Sequence, residues 1–185
     1  LGVMEVNKIY NENCLDTMSR MEDNFIDLTV TSPPYDNLRT YNGYSFDFES
    51  VAKELYRTTK DGGVVVWIVG DATIKGSETG TSFKQALYFK EIGFNLHDTM
   101  IWKKTNPMPV NDKRYQQSFE YMFVFSKGKT KTVNLIQEEK TKGTIERQKS
   151  KIKTSQYGKD GEYVNHTFYT GNIKTTTKRK NIFEY

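Results

Sequence analysis

The stretch Phe25-Ile-Asp-Leu-Thr-Val-Thr-Ser-Pro-Pro-Tyr35 constrains this chain more than any other. Ile26, Leu28 and Val30 alternate with Asp27, Thr29 and Thr31, which predicts a short buried strand. Pro33 and Pro34 then end the ladder, because neither can donate a backbone hydrogen bond. The strand's carboxyl end is left as a rigid turn carrying the Ser32 hydroxyl, backbone carbonyls and the Tyr35 ring. In open α/β sheets, ligands bind at that edge. The bland alternative is a strand and a Pro-Pro turn with no chemistry.

Val30-Thr-Ser-Pro-Pro-Tyr35 resembles the catalytic motif of the amino-group DNA methyltransferases. The residue types suit that chemistry. The exocyclic amine of cytosine or adenine is a poor nucleophile, because its lone pair is conjugated into the ring. Two acceptors placed on its N–H groups draw the nitrogen toward sp³ geometry and aim the lone pair at a methyl donor. The resemblance implies that Ser32 and the Pro33 carbonyl are those acceptors. Pro34 stiffens the turn, and Tyr35 is a stacking platform for a base taken out of the duplex.

Charge divides the chain. Residues 1–100 hold 9 Lys+Arg against 15 Asp+Glu, and residues 101–185 hold 18 against 8. A basic back half suits a polyanionic partner; a solvated basic face is the alternative. One cysteine excludes an internal disulfide and, with two histidines, leaves no zinc cluster, so no metal is expected. No apolar run is long enough for a membrane helix. A cytoplasmic location and no membrane partner are the expectations.

Lys8-Ile-Tyr10 predicts a short strand, followed by a turn and a helix over 15–21. In the family this resembles, the corresponding segment reads Gly-Asp-Cys and lies near the adenine of S-adenosylmethionine. Here Glu12-Asn13-Cys14 stands in its place, so Asn13 and Cys14 are the cofactor-side candidates. Cys14 reads as a small core residue sooner than as a nucleophile. Asp36–Tyr44 is polar and aromatic without period, as for a loop over a site, and offers Arg39 to phosphate or base. Phe48, Val51, Ala52, Leu55 and Tyr56 mark an amphipathic helix. Lys60-Asp-Gly-Gly63 reads as its stop and turn.

Val64-Val-Val-Trp-Ile-Val69 is a near-continuous apolar run, expected to be a strand covered on both faces and parallel to the first. Asp71, just beyond it, is a candidate for cofactor or for a neighbouring backbone N–H. A second helix is predicted over 82–92, then strands over 94–102 and 121–125, which resemble the antiparallel pair that ends the sheet in this methyltransferase superfamily. Lys103, Lys104, Lys113, Arg114 and Tyr115 lie in the connection between them and are the candidates for DNA contact. Beyond residue 126 the aliphatics thin out. His166–Lys180 interleaves aromatics with bases, as nucleic-acid surfaces do.

The resemblance covers about residues 6–126. It implies an α/β, Rossmann-like S-adenosylmethionine methyltransferase sheet, incomplete, over 1–126, with a basic target-recognition extension, partly irregular, over 127–185. The order of motifs resembles the permuted β class, in which a Phe-x-Gly-x-Gly cofactor loop comes last. No such loop occurs in these residues. The expectation is that the polypeptide continues or, failing that, a partner supplies the loop, so that these 185 residues alone would be inactive. The implied activity is methyl transfer from S-adenosylmethionine to an exocyclic amine in double-stranded DNA, cytosine N4 favoured over adenine N6. A restriction endonuclease is a candidate partner; oligomeric state is not legible. A non-catalytic DNA-binding module, or one subunit of a split methyltransferase, is the alternative.

Overall fold

The computed structural model describes residues 4–35, 45–107, 113–149, 152–157, 163–168 and 174–184, with side chains left undescribed over 147–173 and 182–185. Two compact units result: residues 1–133 with 181–185, and residues 134–180.

In the first unit the elements run α1 (Cys14–Ser19), β1 (Ile26–Thr31), α2 (Phe48–Thr58), β2 (Thr59–Val69), a small hairpin of β3 (Thr73–Ile74) and β4 (Ser77–Glu78), α3 (Thr81–Glu91), β5 (Asn95–Lys103) and β6 (Phe119–Ser126). In the second unit, β7 (Gln137–Glu139) is followed by α4 (Lys142–Lys149), β8 (Ile152–Tyr157), β9 (Tyr163–Phe168) and β10 (Thr176–Lys178). There β7 pairs with β10 and β8 with β9, both antiparallel. The chain then returns to the first unit as β11 (Ile182–Glu184).

The main sheet has the order β1-β2-β6-β5-β11. β1 runs parallel to β2, as expected of a β-α-β pair, and β6 is antiparallel to both β2 and β5. The carboxyl ends of β1, β2 and β5 therefore share one edge with the amino end of β6.

The helices form for local reasons. Asn13 Oδ1 accepts from the Leu15 N–H at 3.0 Å and caps α1, and Asp47 Oδ1 accepts from Ser50 N–H at 3.2 Å and caps α2. Arg57 joins the two: its guanidinium donates to the Met18 and Met21 carbonyls at 2.7 and 2.8 Å and pairs with Asp23 and Glu54. Those carboxylates raise its pKa further. α2 buries Val51, Ala52, Leu55 and Thr58, the expected face.

Four expectations need correction. No strand forms at residues 8–10, where Ile9 is 94% exposed. The glycine turn does not follow a helix stop. β2 begins directly at Thr59, and Lys60–Gly63 bulges within it between the Ile26↔Thr59 and Leu28↔Val64 pairs. Gly62, at φ +83°, lies there against Lys131. β2 is not covered on both faces: Val65, Trp67 and Val69 are buried, but Val64, Val66 and Ile68 only half so. β1 is not a buried strand either, since Leu28 and Val30 are 58% and 60% exposed. The last two have a common cause, that α1, α2 and α3 all pack on the Trp67 side of the sheet.

That side holds an aromatic core. Phe89 of α3 is fully buried, stacked on Phe125 at 4.5 Å between centroids and set edge-on to Trp67 at 5.1 Å and Phe48 at 5.5 Å. Trp67 Nε1 donates to Gln85 Oε1 at 2.9 Å, so the buried indole N–H is satisfied. Phe89→Ala should lower unfolding free energy by about 3–5 kcal/mol in denaturant titration. Leu87→Ala, on the exposed face of the same helix, should change it by about 0.5 kcal/mol or less.

Candidate active site

Ser32 follows the last residue of β1, Gly70 the last of β2 and Lys104 the last of β5, while Glu120 is the second residue of β6. The sheet register levels them. Thr31 pairs with Trp67, Val69 with Tyr121, and Trp102 with Glu120. Pro33 is buried and anchors the turn, leaving Ser32 exposed.

The side chains at this edge form a chain of contacts. Ser32 Oγ lies 2.7 Å from the Tyr35 hydroxyl, which donates to Glu120 Oε2 at 3.0 Å. Lys104 Nζ lies 2.5 Å from Glu120 Oε1. One edge of the Tyr35 ring packs against Gly70, at 3.7 Å from where a Cβ would stand. The hydroxyl bond and this edge contact both hold the ring in place, and the side chain also packs against the core cluster.

On the other side of Ser32 is a cavity of about 340 Å³ whose lining includes Cys14, Met18, Thr31, Ser32, Pro33 and Trp67. Its walls are apolar apart from hydroxyls of Thr29, Thr31 and Ser32 and the Cys14 thiol. A smaller space of about 110 Å³ lies beside Glu120 and is bordered by Gly70, Asp71 and Glu78. Tyr121 borders it too; burial, with the Asp71 and Glu78 charges nearby, pushes its phenol pKa up.

The candidates distribute unevenly over this site. Ser32, Pro33, Pro34 and Cys14 share the larger cavity. Asn13 sits next to it as the cap of α1, its amide oxygen already accepting from Leu15. Asp71 is not in that lining. Its carboxylate accepts from the Ser82 N–H at 2.8 Å, from the Ser82 hydroxyl and from Thr79 Oγ1 at 3.3 Å. It thus supplies the cap that Gly80, at the start of α3, lacks. Lys104 is paired with Glu120, and Arg114 bonds the Gly76 carbonyl and lies 3.9 Å from Glu78. Lys103, Lys113 and Tyr115 are exposed. Arg39 lies outside the described residues.

Sequence reasoning missed Glu120, Gly70 and the apolar walls given by Met18, Phe46 and Trp67. Glu120 alone left a signal, a single acid at the start of the apolar run Phe119-Glu-Tyr-Met-Phe123.

The chain superposes on the PvuII DNA methyltransferase (cytosine-N4-specific) with a TM-score of 0.59 at 23% identity, over 68% of this chain and 51% of that one. The protein TTHA0409 of Thermus thermophilus, solved in complex with S-adenosyl-L-methionine, superposes with a TM-score of 0.51 at 22% identity, over 74% of this chain and 59% of that one. The fold is therefore that of the Rossmann-like methyltransferases.

Residues 26–185 match the N6_N4_Mtase family model, described as DNA methylase. The orphan methyltransferase M.BamHII of Bacillus amyloliquefaciens is 64% identical over 141 residues, which is 76% of this chain and 52% of that protein. The type II beta methyltransferase M.BslI of a Bacillus strain is 30% identical over 65% of this chain and 16% of its own length. The chain belongs to the DNA methylase family, and spans about half the length of M.BamHII and less of M.BslI.

Asp71→Ala should uncap α3 and cost about 1–2 kcal/mol of stability. Asp71→Asn, which keeps an oxygen for the Ser82 N–H, should cost less. Thermal or denaturant unfolding of both variants checks this.

Proposed function

We propose that this chain is the target-amine side of a DNA methyltransferase acting on an exocyclic amine of a base in double-stranded DNA. The observation that carries the proposal is the exposed Ser32 hydroxyl at the sheet's ligand edge, between the cavity and the tethered Tyr35. Ser32 and the Pro33 carbonyl accept from the two N–H groups of the amine. Tyr35, with its ring held by Glu120 and Gly70, gives the base a fixed surface to stack on.

S-adenosylmethionine supplies the methyl group when bound. The cavity beside Ser32 fits that role in part, with apolar and aromatic walls and the hydroxyls of Thr29 and Thr31 in its lining. Asn13 and Cys14 are the nearest residues for its adenosine end. No glycine-rich Phe-x-Gly-x-Gly loop lies in these residues to receive its remainder. The contact with DNA is assigned to Lys103, Lys113, Tyr115 and Arg39, and to the basic residues of the second unit. A restriction endonuclease of matching specificity remains the proposed partner, although M.BamHII is described as an orphan.

In the complete enzyme, Ser32→Ala should slow single-turnover methylation by about 10²–10³-fold with DNA affinity retained, as for loss of one preorganised hydrogen bond at a transition state. Unchanged turnover would remove Ser32 from the mechanism. Digesting the wild-type product to nucleosides identifies the base. N4-methyldeoxycytidine is expected, and N6-methyldeoxyadenosine alone would reassign the target to adenine.

Binding should weaken steeply with salt, because each phosphate contact releases counterions. Replacing Lys103 and Lys113 together by alanine should lower the log–log salt slope by about two. An unchanged slope in a binding titration would place the phosphates elsewhere.

A further inference from the structure

The Tyr35 hydroxyl stands between two oxygens, Ser32 Oγ at 2.7 Å and Glu120 Oε2 at 3.0 Å. A carboxylate can only accept, and a phenol carries a single proton. Tyr35 therefore gives its proton to Glu120, and its oxygen is left to accept from Ser32. The one proton of Ser32 is then committed to Tyr35. Both the remaining directions around Ser32 Oγ are acceptor directions.

We propose that Glu120 is a positioning residue that sets the polarity of this chain, so that Ser32 meets the target amine as an acceptor. The inference rests on the methyltransferase reading of Ser32 and adds a residue 88 positions away in sequence. Lys104, 2.5 Å from the second carboxylate oxygen, holds Glu120 toward the site. Without the carboxylate, the Tyr35 proton can turn to Ser32, and the serine proton turns into the site. It would there face the N–H groups of the amine, donor against donor, a mismatch that forfeits the hydrogen bond.

The test uses the complete enzyme and three substitutions. Glu120→Gln keeps the size of the side chain but offers Tyr35 a donor as well as an acceptor. It should lower the single-turnover methylation rate about 5- to 100-fold, as expected for an unsatisfied polar contact. DNA affinity and thermal midpoint should stay near those of wild type. Tyr35→Phe breaks the same chain without touching Glu120, and should lower the rate by a similar factor even if the Gln variant folds poorly.

The discriminating arm is Ser32→Ala. Once no hydroxyl remains to be oriented, Glu120→Gln should have no further effect on the residual rate. A role limited to propping up Tyr35 predicts the opposite, an undiminished effect in the Ser32→Ala background together with weaker DNA binding. That result, or a Glu120→Gln enzyme as fast as wild type, would overturn the proposal. A wild-type enzyme that transfers no methyl to DNA would instead overturn the reading of the site itself.

Discussion

The parallel pairing of β1 with β2 is the constraint on which the rest of the site depends. With Thr31 level with Trp67, the Ser-Pro-Pro turn leaves the sheet beside Gly70. The antiparallel pairing of β2 with β6 then sets Tyr121 against Val69, so that Glu120 stands just beyond, within reach of the Tyr35 hydroxyl. A slip of one residue in either ladder would turn alternate side chains to the opposite face. The buried side of that register is held by the Trp67–Phe89–Phe125 cluster, so the aromatic core and the Ser-Pro-Pro turn are two consequences of one pairing.

Much of this was legible in the chain. Two prolines after an alternating run mark a strand end in any context, and Phe48 to Tyr56 could only repeat as a helix. The two strands β5 and β6 followed from apolar runs around a basic connection, and their antiparallel pairing from the family resemblance. What could not be read was which face of each strand finds a cover. Val64–Val69 has the composition of a doubly covered strand, yet only its odd-numbered residues are buried, because the three helices among the described residues of that unit lie on one side. Leu28 and Val30 were expected inside for the same reason, and they are exposed on an edge strand.

The site shows a similar split. Ser32, Pro33 and Tyr35 are neighbours in sequence, so their spacing carries the motif. Glu120 joins them only through the order β1-β2-β6, which no local pattern encodes. Asp71 was ambiguous because a carboxylate after a strand serves a ligand or a helix start equally well. Here Gly80 cannot cap α3 with a side chain, and Asp71 fills that need. Acids in the front half are in this way largely engaged with the protein itself: Asp47 and Asp71 at helix ends, Asp23 and Glu54 on Arg57. The acidic balance of that half therefore says little about its ligand.

A serine acceptor brings a difficulty that a carboxylate would not. The hydroxyl carries its own proton, and that proton can rotate toward the substrate as easily as away from it. Catalysis by preorganised acceptors requires the direction to be settled before the transition state forms, since reorganisation at that moment is part of the barrier. In the proposed site, the Tyr35–Glu120–Lys104 contacts would settle it with groups from three different sheet positions. Tyr35 then serves twice. On that proposal its ring is the stacking face, and its hydroxyl carries the polarity of Glu120 to Ser32. The two tasks use different parts of one side chain, so a hydrogen bond in the ring plane can hold the tyrosine without covering its face.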